Sequence, residues 1–368
     1  MQAAWNSIVL IAGIVSIVLM LSDVFQSVIV PRAVGRRLRF SYLEWRLGWL
    51  VWPKLSRLFY PDDGDARENF LALFAPLALV LMLVLWALVA ILGFGCVFWA
   101  FRTHIHPVPT TFWEAVYFAG TSFVTVGFGD FVGTTGITRM VSVLAGACGF
   151  GVVSVTTAYL FAIFGFFQAR EAFVVTIGAR AGLPPSGVGL LAVAKYANIE
   201  SDLAIVMRDG QAWTAMLMES HLAYPTLAYF RSSHDDESWV GTLGTLLDAA
   251  ALMMTALREP TGQAQIMYNI GRHATHDLAR YFAVPHIACG AGVSQAEFAR
   301  ACDRLRSAGL SVRDAQASWH EFSALRATYA GNLRALAQYL SVPPVLWVSD
   351  RALLEPHHSE SVSGVELM

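Results

Sequence analysis

Residues 121–130 read Thr-Ser-Phe-Val-Thr-Val-Gly-Phe-Gly-Asp, and they lie between two long apolar runs that carry no charge. A dehydrated cation needs a queue of oxygen ligands, and consecutive backbone carbonyls supply one if they all face inward. The two glycines permit backbone angles that other residues resist. The threonine that precedes them adds a hydroxyl ligand, whereas the valine and phenylalanine are expected to point away and brace the loop. The predicted ion-binding column consists of Thr125, Val126, Gly127, Phe128 and Gly129.

The composition is that of a membrane protein. Of the 368 residues, 56% are hydrophobic and only 14% are charged, whereas a soluble domain carries about 25% charged residues. The mean hydropathy is +0.52. The net charge of −2 argues against a nucleic-acid partner. The four cysteines lack the spacing of a metal site, so we expect no metal, no disulfide and no cofactor.

Three segments are long enough to cross a bilayer, which takes about 20 apolar residues. They cover residues 5–30, 70–101 and 140–168, and Asp23 is the only charge that interrupts them. A fourth apolar segment, 239–257, has Asp248 at its centre, at a cost of about 2.5–3.5 kcal/mol for insertion. We therefore interpret it as a buried helix of a soluble domain.

Positive charge is concentrated between the first and second spans. The loop between the second and third spans has basic residues only near its ends, at Arg102 and Arg139. The positive-inside rule then predicts a multi-pass protein of the cell (plasma or inner) membrane, with its N-terminus outside and its C-terminus in the cytoplasm. The basic residues of the first loop are Arg32, Arg36, Arg37, Arg39, Arg46, Lys54, Arg57 and Arg67.

Residues 40–60 predict an amphipathic helix at the inner membrane interface, with its tryptophans at headgroup level. The alternative is a solvated linker. Asp23 is expected to pair with an arginine or to face protein, and a role as a proton relay is the alternative.

The segment from Thr125 to Asp130 resembles the filter of the pore-loop (tetrameric) potassium channels. This resemblance implies K+ as the permeant ion, a filter at the outer mouth and four loops around one axis. The chain has one such loop, so the resemblance implies a homotetramer. Two positions depart from the family pattern: Phe128 stands where tyrosine is commoner, and Thr121 stands where many members carry an acid.

A short helix should precede the filter. Thr111 and Glu114 have the spacing of a capping box, and the predicted helix runs to about Ser122. The negative end of its dipole would then favour a cation at the pore centre. Tyr117 and Phe118 are expected to form an aromatic collar. At the outer mouth, Asp130 would concentrate cations or hold the filter in shape by a hydrogen bond.

The third span should line the inner part of the pathway. By resemblance, Gly149 has the position of an inner-helix hinge, and close helix packing by a small residue is the alternative. The helical repeat from Gly149 continues through Val153, Thr157 and Phe161 on one face. We expect that face to line a cavity and Phe161 to approach a hydrophobic constriction at the inner mouth.

The C-terminal half has the composition of an ordinary helical domain. It lacks the Gly-x-Gly-x-x-Gly motif of a nucleotide-binding domain, and its ligand is unidentified. Residues from about 355 onward are expected to be disordered. The predicted helices cover residues 189–199, 211–222, 237–257, 263–282, 295–307 and 313–340.

The predicted fold is an all-α membrane protein, in which an extra N-terminal span and an all-helical cytoplasmic domain flank a two-span-plus-pore-loop potassium-channel module. The predicted function is a homotetrameric K+ channel gated by an unknown cytoplasmic stimulus. A weakly selective cation channel and a membrane sensor with a vestigial pore are the alternatives. No catalytic residue is recognised, so an enzyme is not expected. The predicted parts are an N-terminal span (1–30), a linker (31–69), a pore domain (70–168) and a cytoplasmic domain (171–368).

Overall fold

In the computed structural model, the chain divides into two compact units. The first consists of Met1–Phe166 and Ala223–Phe230, and the second of Phe167–Leu222 and Arg231–Met368. Helices dominate both units, as the sequence predicts. The tail that was expected to be disordered lies outside the described residues. The structure describes residues 2–29, 40–61, 64–182, 184–233, 237–258, 262–342 and 347.

Three helical segments of the described chain are long and apolar enough to cross a membrane, which confirms the three predicted spans. The first is α1 (Gln2–Val24), which continues as a short π-helix. After α2 (Phe40–Phe59), the second span comprises α3 (Gly64–Ala72) and α4 (Phe74–Ala100). The third span is part of α6 (Gly136–Ala181), which begins before the predicted residue 140 and extends well beyond residue 168.

The first two spans pack through small residues. A Cβ added to Gly13 of α1 would lie 2.6 Å from the carbonyl oxygen of Gly93 on α4. Apolar helices gain little from the hydrophobic effect in lipid, so close backbone approach supplies much of their attraction. The extra N-terminal span therefore packs directly against the outer helix of the pore module.

Helix α2 buries two of its three tryptophans within the unit. Trp45 and Trp49 are 5% and 4% exposed, and both rings contact Phe74 of α4, with centroids 5.5 and 5.0 Å away. Both rings also contact Tyr229, which lies far along the chain. The prediction of a helix over this segment is correct, whereas its place at the membrane interface stays a prediction.

Residues 223–230, which we call the strap, belong to the first unit although their neighbours in sequence belong to the second. The Tyr229 ring lies 5.4 Å from Trp45, 5.0 Å from Trp49 and 5.7 Å from Phe74. The strap also contacts α6. There the Tyr159 hydroxyl is 2.9 Å from that of Thr226, and further ring contacts join Tyr159 to Tyr224, Phe166 to Tyr224 and Phe164 to Phe230.

The second unit is a helical bundle around α9 (Trp239–Thr255). The predicted helix 295–307 is observed at those bounds, whereas the predicted helix 313–340 consists of two helices. The predicted helix 211–222 begins earlier than expected, because Asp209 and Gly210, which read as a turn, lie inside the helix Leu203–Ala223. The other helices of the bundle are α7 (Gly187–Tyr196), α8 (Leu203–Ala223), α10 (Gly262–Tyr281), α11 (Gln295–Ser307), α12 (Ala315–Ala327) and α13 (Ala330–Tyr339).

Helix α9 is buried along nearly its whole length and carries one buried acid, Asp248. The acid accepts hydrogen bonds from Arg326 Nε at 2.9 Å and from the Tyr329 hydroxyl at 2.7 Å. Neither member of the ion pair is exposed, at 2% for the Asp248 side chain and 0% for that of Arg326. The interpretation of this segment as a buried helix agrees with its absence from the three spans.

Breaking this ion pair should destabilise the second unit strongly. Asp248→Leu leaves the buried guanidinium of Arg326 without its counter-charge, and such a loss costs about 3–5 kcal/mol. In the double variant Asp248→Leu/Arg326→Met both charges are gone, so much of the loss should be recovered. Thermal unfolding of the full chain in detergent, followed by circular dichroism, measures both. A double variant no more stable than Asp248→Leu would contradict this account.

Candidate functional site

The backbone of residues 125–129 alternates in handedness. Thr125, Gly127 and Gly129 have left-handed φ values of 57°, 54° and 81°. Val126 and Phe128, which lie between them, are not among the described residues with positive φ. Alternation of right- and left-handed residues turns successive peptide groups the same way. One side of the segment therefore presents N–H groups and the other presents carbonyl oxygens.

The N–H side of this segment faces the short helix that precedes it. The N–H groups of Val126 and Gly127 donate to the carbonyl oxygen of Thr121 at 2.9 and 3.1 Å, and that of Thr125 donates to Ser122 at 3.1 Å. A helix leaves its last carbonyls without partners, so the end of α5 is the natural acceptor. In a trans peptide the carbonyl points opposite to the N–H, so the carbonyls of Val124, Thr125 and Val126 are directed away from the helix, as a column of cation ligands would require.

The preceding helix, α5 (Phe112–Phe123), begins where the sequence predicts. The Thr111 hydroxyl accepts from the Glu114 N–H at 3.4 Å. The reciprocal bond is shifted by one residue, because the Glu114 carboxylate accepts from the N–H of Thr110 at 2.6 Å and from its hydroxyl at 2.9 Å. These bonds from Thr110 hold the pKa of Glu114 below its usual value, so the cap stays ionised at neutral pH.

Asp130, at the end of the filter, lies beside Tyr117 of α5. A hydrogen bond to the Asp130 carboxylate, together with burial, raises the pKa of the Tyr117 phenol. Asp130 also accepts from the N–H of Phe131 at 3.1 Å. Tyr117 of α5 is thus the side chain that contacts Asp130. Thr121 turns inward and donates its hydroxyl to the Phe118 carbonyl at 3.1 Å.

The two residues of the predicted aromatic collar, Tyr117 and Phe118, differ in their exposure to solvent. Phe118 is 7% exposed, and its ring lies 4.5 Å from that of Phe98 on α4 and 6.4 Å from that of Phe131. Tyr117 is 42% exposed and contacts Phe131 from the other side, at 6.2 Å. Phe131, which the sequence analysis did not single out, therefore connects the two rings.

A two-stranded sheet closes the loop that carries α5 and the filter. Strand β1 (Ile105–His106) pairs antiparallel with β2 (Val132–Gly133). The carbonyl of His104 accepts from both the N–H and the hydroxyl of Thr134, each at 2.9 Å. Pairs of two residues give no periodic signal in a sequence, so this closure was not predicted.

Gly149 lies against the end of α5. A Cβ added there would be 1.8 Å from the carbonyl oxygen of Phe123, and α6 continues without interruption through this position. This is the geometry of close packing by a small residue, one of the two alternatives for Gly149. The hinge, which concerns a movement, stays a prediction.

The predicted cavity face of α6 has no partner within the described part of the chain. Val153 and Phe161 are 64% and 76% exposed, and Thr157 is exposed as well. Two of the filter side chains expected to act as braces, Val126 and Phe128, are 52% and 70% exposed. Within the described residues, these side chains are therefore left largely uncovered.

Comparison with known proteins gives two matches. Residues 79–165 match the family model Ion_trans_2, described as "Ion channel". The chain is also 21% identical over 204 residues to the "Uncharacterized membrane protein YdjJ" of Bacillus subtilis (strain 168). That match covers 54% of this chain and 58% of the relative, so the chain spans somewhat more than half of the relative's length. No solved structure matches the chain.

Enlarging Gly149 should disturb the filter through α5. Gly149→Ala forces α6 away from the Phe123 carbonyl, and overpacking of this kind costs about 1–3 kcal/mol. We expect a lower melting temperature of the full chain in detergent. The control is Gly151→Ala on the same helix, where no atom lies within 4 Å of the added Cβ and alanine favours the helix by up to about 1 kcal/mol. Equal melting temperatures for the two variants would contradict the close packing.

Proposed function

We propose that the protein is a potassium-selective channel whose pore module includes residues 79–165, the segment that matches the ion-channel family model. One observation carries the proposal. The N–H groups of Val126 and Gly127 are tied to Thr121, while left-handed φ values recur at every second residue. Both features direct a row of carbonyl oxygens to one side, which is the ligand set that replaces the hydration shell of K+. The permeant ion is the ligand, and no cofactor is invoked.

The conducting species in this proposal is a homotetramer in the lipid bilayer. The chain supplies a single filter loop, whereas a ring of carbonyls needs several. Two sets of side chains that are exposed in the single chain fit this arrangement: Val126 and Phe128 of the filter, and Val153 and Phe161 of α6. With four copies around one axis, Val126 and Phe128 would contact neighbouring protein, and Val153 and Phe161 would face the enclosed pathway.

The basic loop between the first two spans supports an orientation with the N-terminus outside and the C-terminal half in the cytoplasm of a cell. The filter then lies at the outer mouth and Phe161 near the inner one. A ring of four such side chains would close the path by excluding water. A stimulus received by the cytoplasmic half, whose ligand is unidentified, would act on that ring.

The strap is the element through which such a stimulus would reach the pore. Its chain continues directly from α8, yet its side chains contact α6 at Tyr159, Phe164 and Phe166. Tyr159 lies just before Phe161 in the sequence, and Phe164 and Phe166 lie just after it. Tyr229 fixes the strap against the tryptophans of α2. A displacement of the strap would thus move the inner half of α6.

Ion selectivity is tested by reconstituting the purified full chain in planar bilayers and measuring reversal potentials with K+ on one side and Na+ on the other. We expect a strong preference for K+. Equal permeability would favour the weakly selective cation channel. The absence of current at every cytoplasmic pH and with every ligand tried would favour a sensor with a vestigial pore.

Gly127→Ala should abolish K+ current while assembly persists. Gly127 has a φ of 54°, and a left-handed conformation costs a residue with a side chain about 1–2 kcal/mol, so the adjacent carbonyl is expected to turn away. No atom of the chain lies within 4 Å of an added Cβ, so crowding within one chain is not the cause. Gly136→Ala, equally uncrowded but helical, is the control. Normal current through Gly127→Ala would refute the assignment of the filter.

Removing the Tyr229 ring should change gating but leave permeation intact. Truncating a buried aromatic residue costs about 3–5 kcal/mol, and a difference of 1.4 kcal/mol between open and closed states changes their ratio tenfold. We therefore expect Tyr229→Ala to change the open probability severalfold at an unaltered unitary conductance. Tyr196→Ala removes a tyrosine that is 67% exposed and should change neither. An unchanged open probability for Tyr229→Ala would rule out the strap as the coupling element.

A further inference from the structure

Two acidic side chains lie close together where α1 meets the start of α2. Asp23 is 2% exposed, and its carboxylate is well supplied with donors. It accepts from the N–H of Ser41 at 3.1 Å, from the Ser41 hydroxyl at 2.9 Å and from Trp86 Nε1 at 2.8 Å. Three donors suit an ionised carboxylate, and a negative charge at the first turn of α2 is favourable.

Glu44 lies one turn after Ser41 on α2, and its carboxylate, unlike that of Asp23, lacks hydrogen-bond donors in the described chain. Both of its carboxylate oxygens are shielded from solvent, and neither has a hydrogen-bond partner among the residues that the structure describes. Burial, and after it the negative charge of Asp23, raises the pKa of Glu44 to about 7. A carboxyl group in such a place binds a proton more readily than one in water.

Among the described elements around Glu44, no positive charge offsets the burial of its carboxyl and the negative charge of Asp23. One turn before and after it, α2 carries Phe40, Ser41, Leu47 and Gly48. The neighbouring Arg46 is exposed, and its guanidinium lies 3.4 Å from the Tyr42 hydroxyl. From α1 the charged group that acts on Glu44 is the acid Asp23, and the group that α4 brings to this acid is the neutral indole of Trp86. The arginines at 32, 36, 37 and 39 lie outside the described residues.

We propose that the Glu44 carboxyl is a proton-binding site through which cytoplasmic pH controls the pore. The proposal rests on the proposed channel function and its orientation, and it names a regulator for them. With the proton bound, Glu44 is neutral beside the anionic Asp23. When the proton leaves to water, the charge of Glu44 adds to that of Asp23, and the repulsion between these like charges favours a shift of the first turns of α2 away from Asp23.

The neighbouring residue connects this site to the pore. Trp45 follows Glu44 directly, and its ring contacts Phe74 and Tyr229. Tyr229 belongs to the strap, which in turn contacts Tyr159 on α6 through Thr226. A shift of α2 on deprotonation therefore displaces the residues that hold the inner half of α6.

The test is the activity of the full-length channel in bilayers as the pH on the cytoplasmic side is varied from 5 to 9, with the outer pH fixed. We expect the open probability of the wild type to change with a midpoint near pH 7. Glu44→Gln mimics the protonated form, so it should stay at the level that the wild type shows at acidic pH. Asp65→Asn, which neutralises an exposed acid of α3, is the matched control and should keep the wild-type profile.

A second measurement does not depend on conduction. The folded-state pKa of Glu44 is raised above the ordinary value of 4.5, so its contribution to stability is fully present below pH 4.5 and is lost as the pH rises to about 7. The melting temperature of Glu44→Gln minus that of the wild type should therefore increase over this interval and then level off. The carboxylic-acid infrared band that Glu44→Gln removes should disappear from the wild type around the folded-state pKa of about 7.

The two measurements separate the possible failures. If the channel conducts K+ but Glu44→Gln keeps the wild-type pH profile, the proposed proton site is refuted and the channel function stands. If the carboxyl titrates below pH 5, a cation holds it ionised, and the proposal is overturned. If it titrates near pH 7 while no protein passes current, the proposed channel function fails and the proton site remains without its control of a pore.

Discussion

The hydrogen bonds from residues 126 and 127 to the carbonyl of Thr121 are the constraint on which the loop between α4 and α6 depends. A backbone that turns its carbonyls to one side must turn its N–H groups to the other, and N–H groups buried away from water need acceptors. The N–H groups of Val126 and Gly127 meet one of the last carbonyls of α5. Helix α5 must therefore end where it does, and its beginning must be fixed too. The cap at Thr111 provides that start, and the β1–β2 pair holds the two ends of the loop together.

The same constraint extends to α6. Its outer half approaches the end of α5 at Gly149, and its inner half contacts the strap from Tyr159 onward. Between these fixed points, three side-chain hydroxyls donate hydrogen bonds to the backbone carbonyl four residues earlier: Ser154 to Phe150, Thr156 to Val152 and Thr157 to Val153. Such bonds compete with the helical ladder and often bend helices. The segment that can yield between two anchored halves thus lies after Gly149.

Local chemistry predicted some parts of the structure closely. A capping residue, an acid three positions later and a motif with two glycines have short-range causes, so α5 is observed within one residue of its predicted end and the filter residues have the backbone that their types suggest. Hydropathy located the three spans. It could not give the end of α6, because the helix continues beyond the apolar stretch, where charged residues are as helical as apolar ones.

The remaining differences have tertiary causes. Gly210 lies within α8, where an added Cβ would be about 3.2 Å from Leu246 and 3.1 Å from Met267, so a residue that reads as a breaker serves packing instead. The predicted helix 313–340 is divided near Tyr329, whose hydroxyl reaches the buried Asp248. The strap has no periodicity of its own, and its place depends on an aromatic cluster assembled from three distant segments. None of these contacts is encoded in a local pattern.

Helix α2 differs from an ordinary surface helix in having apolar side chains on both faces. Trp45 and Trp49 are buried within the unit, while Leu43, Leu47 and Leu50 are about half exposed. Contacts between apolar groups are non-directional, so they attach the helix without fixing its position along its axis. In the described chain, the hydrogen bonds that do fix it include those between Asp23 and Ser41, at its first turn. A further directional bond, from Trp52 Nε1 to the carbonyl of Phe70 at 3.0 Å, holds the second half of the helix to α3. A change of charge at the first turn therefore acts on one of the places where α2 has directional bonds to other helices.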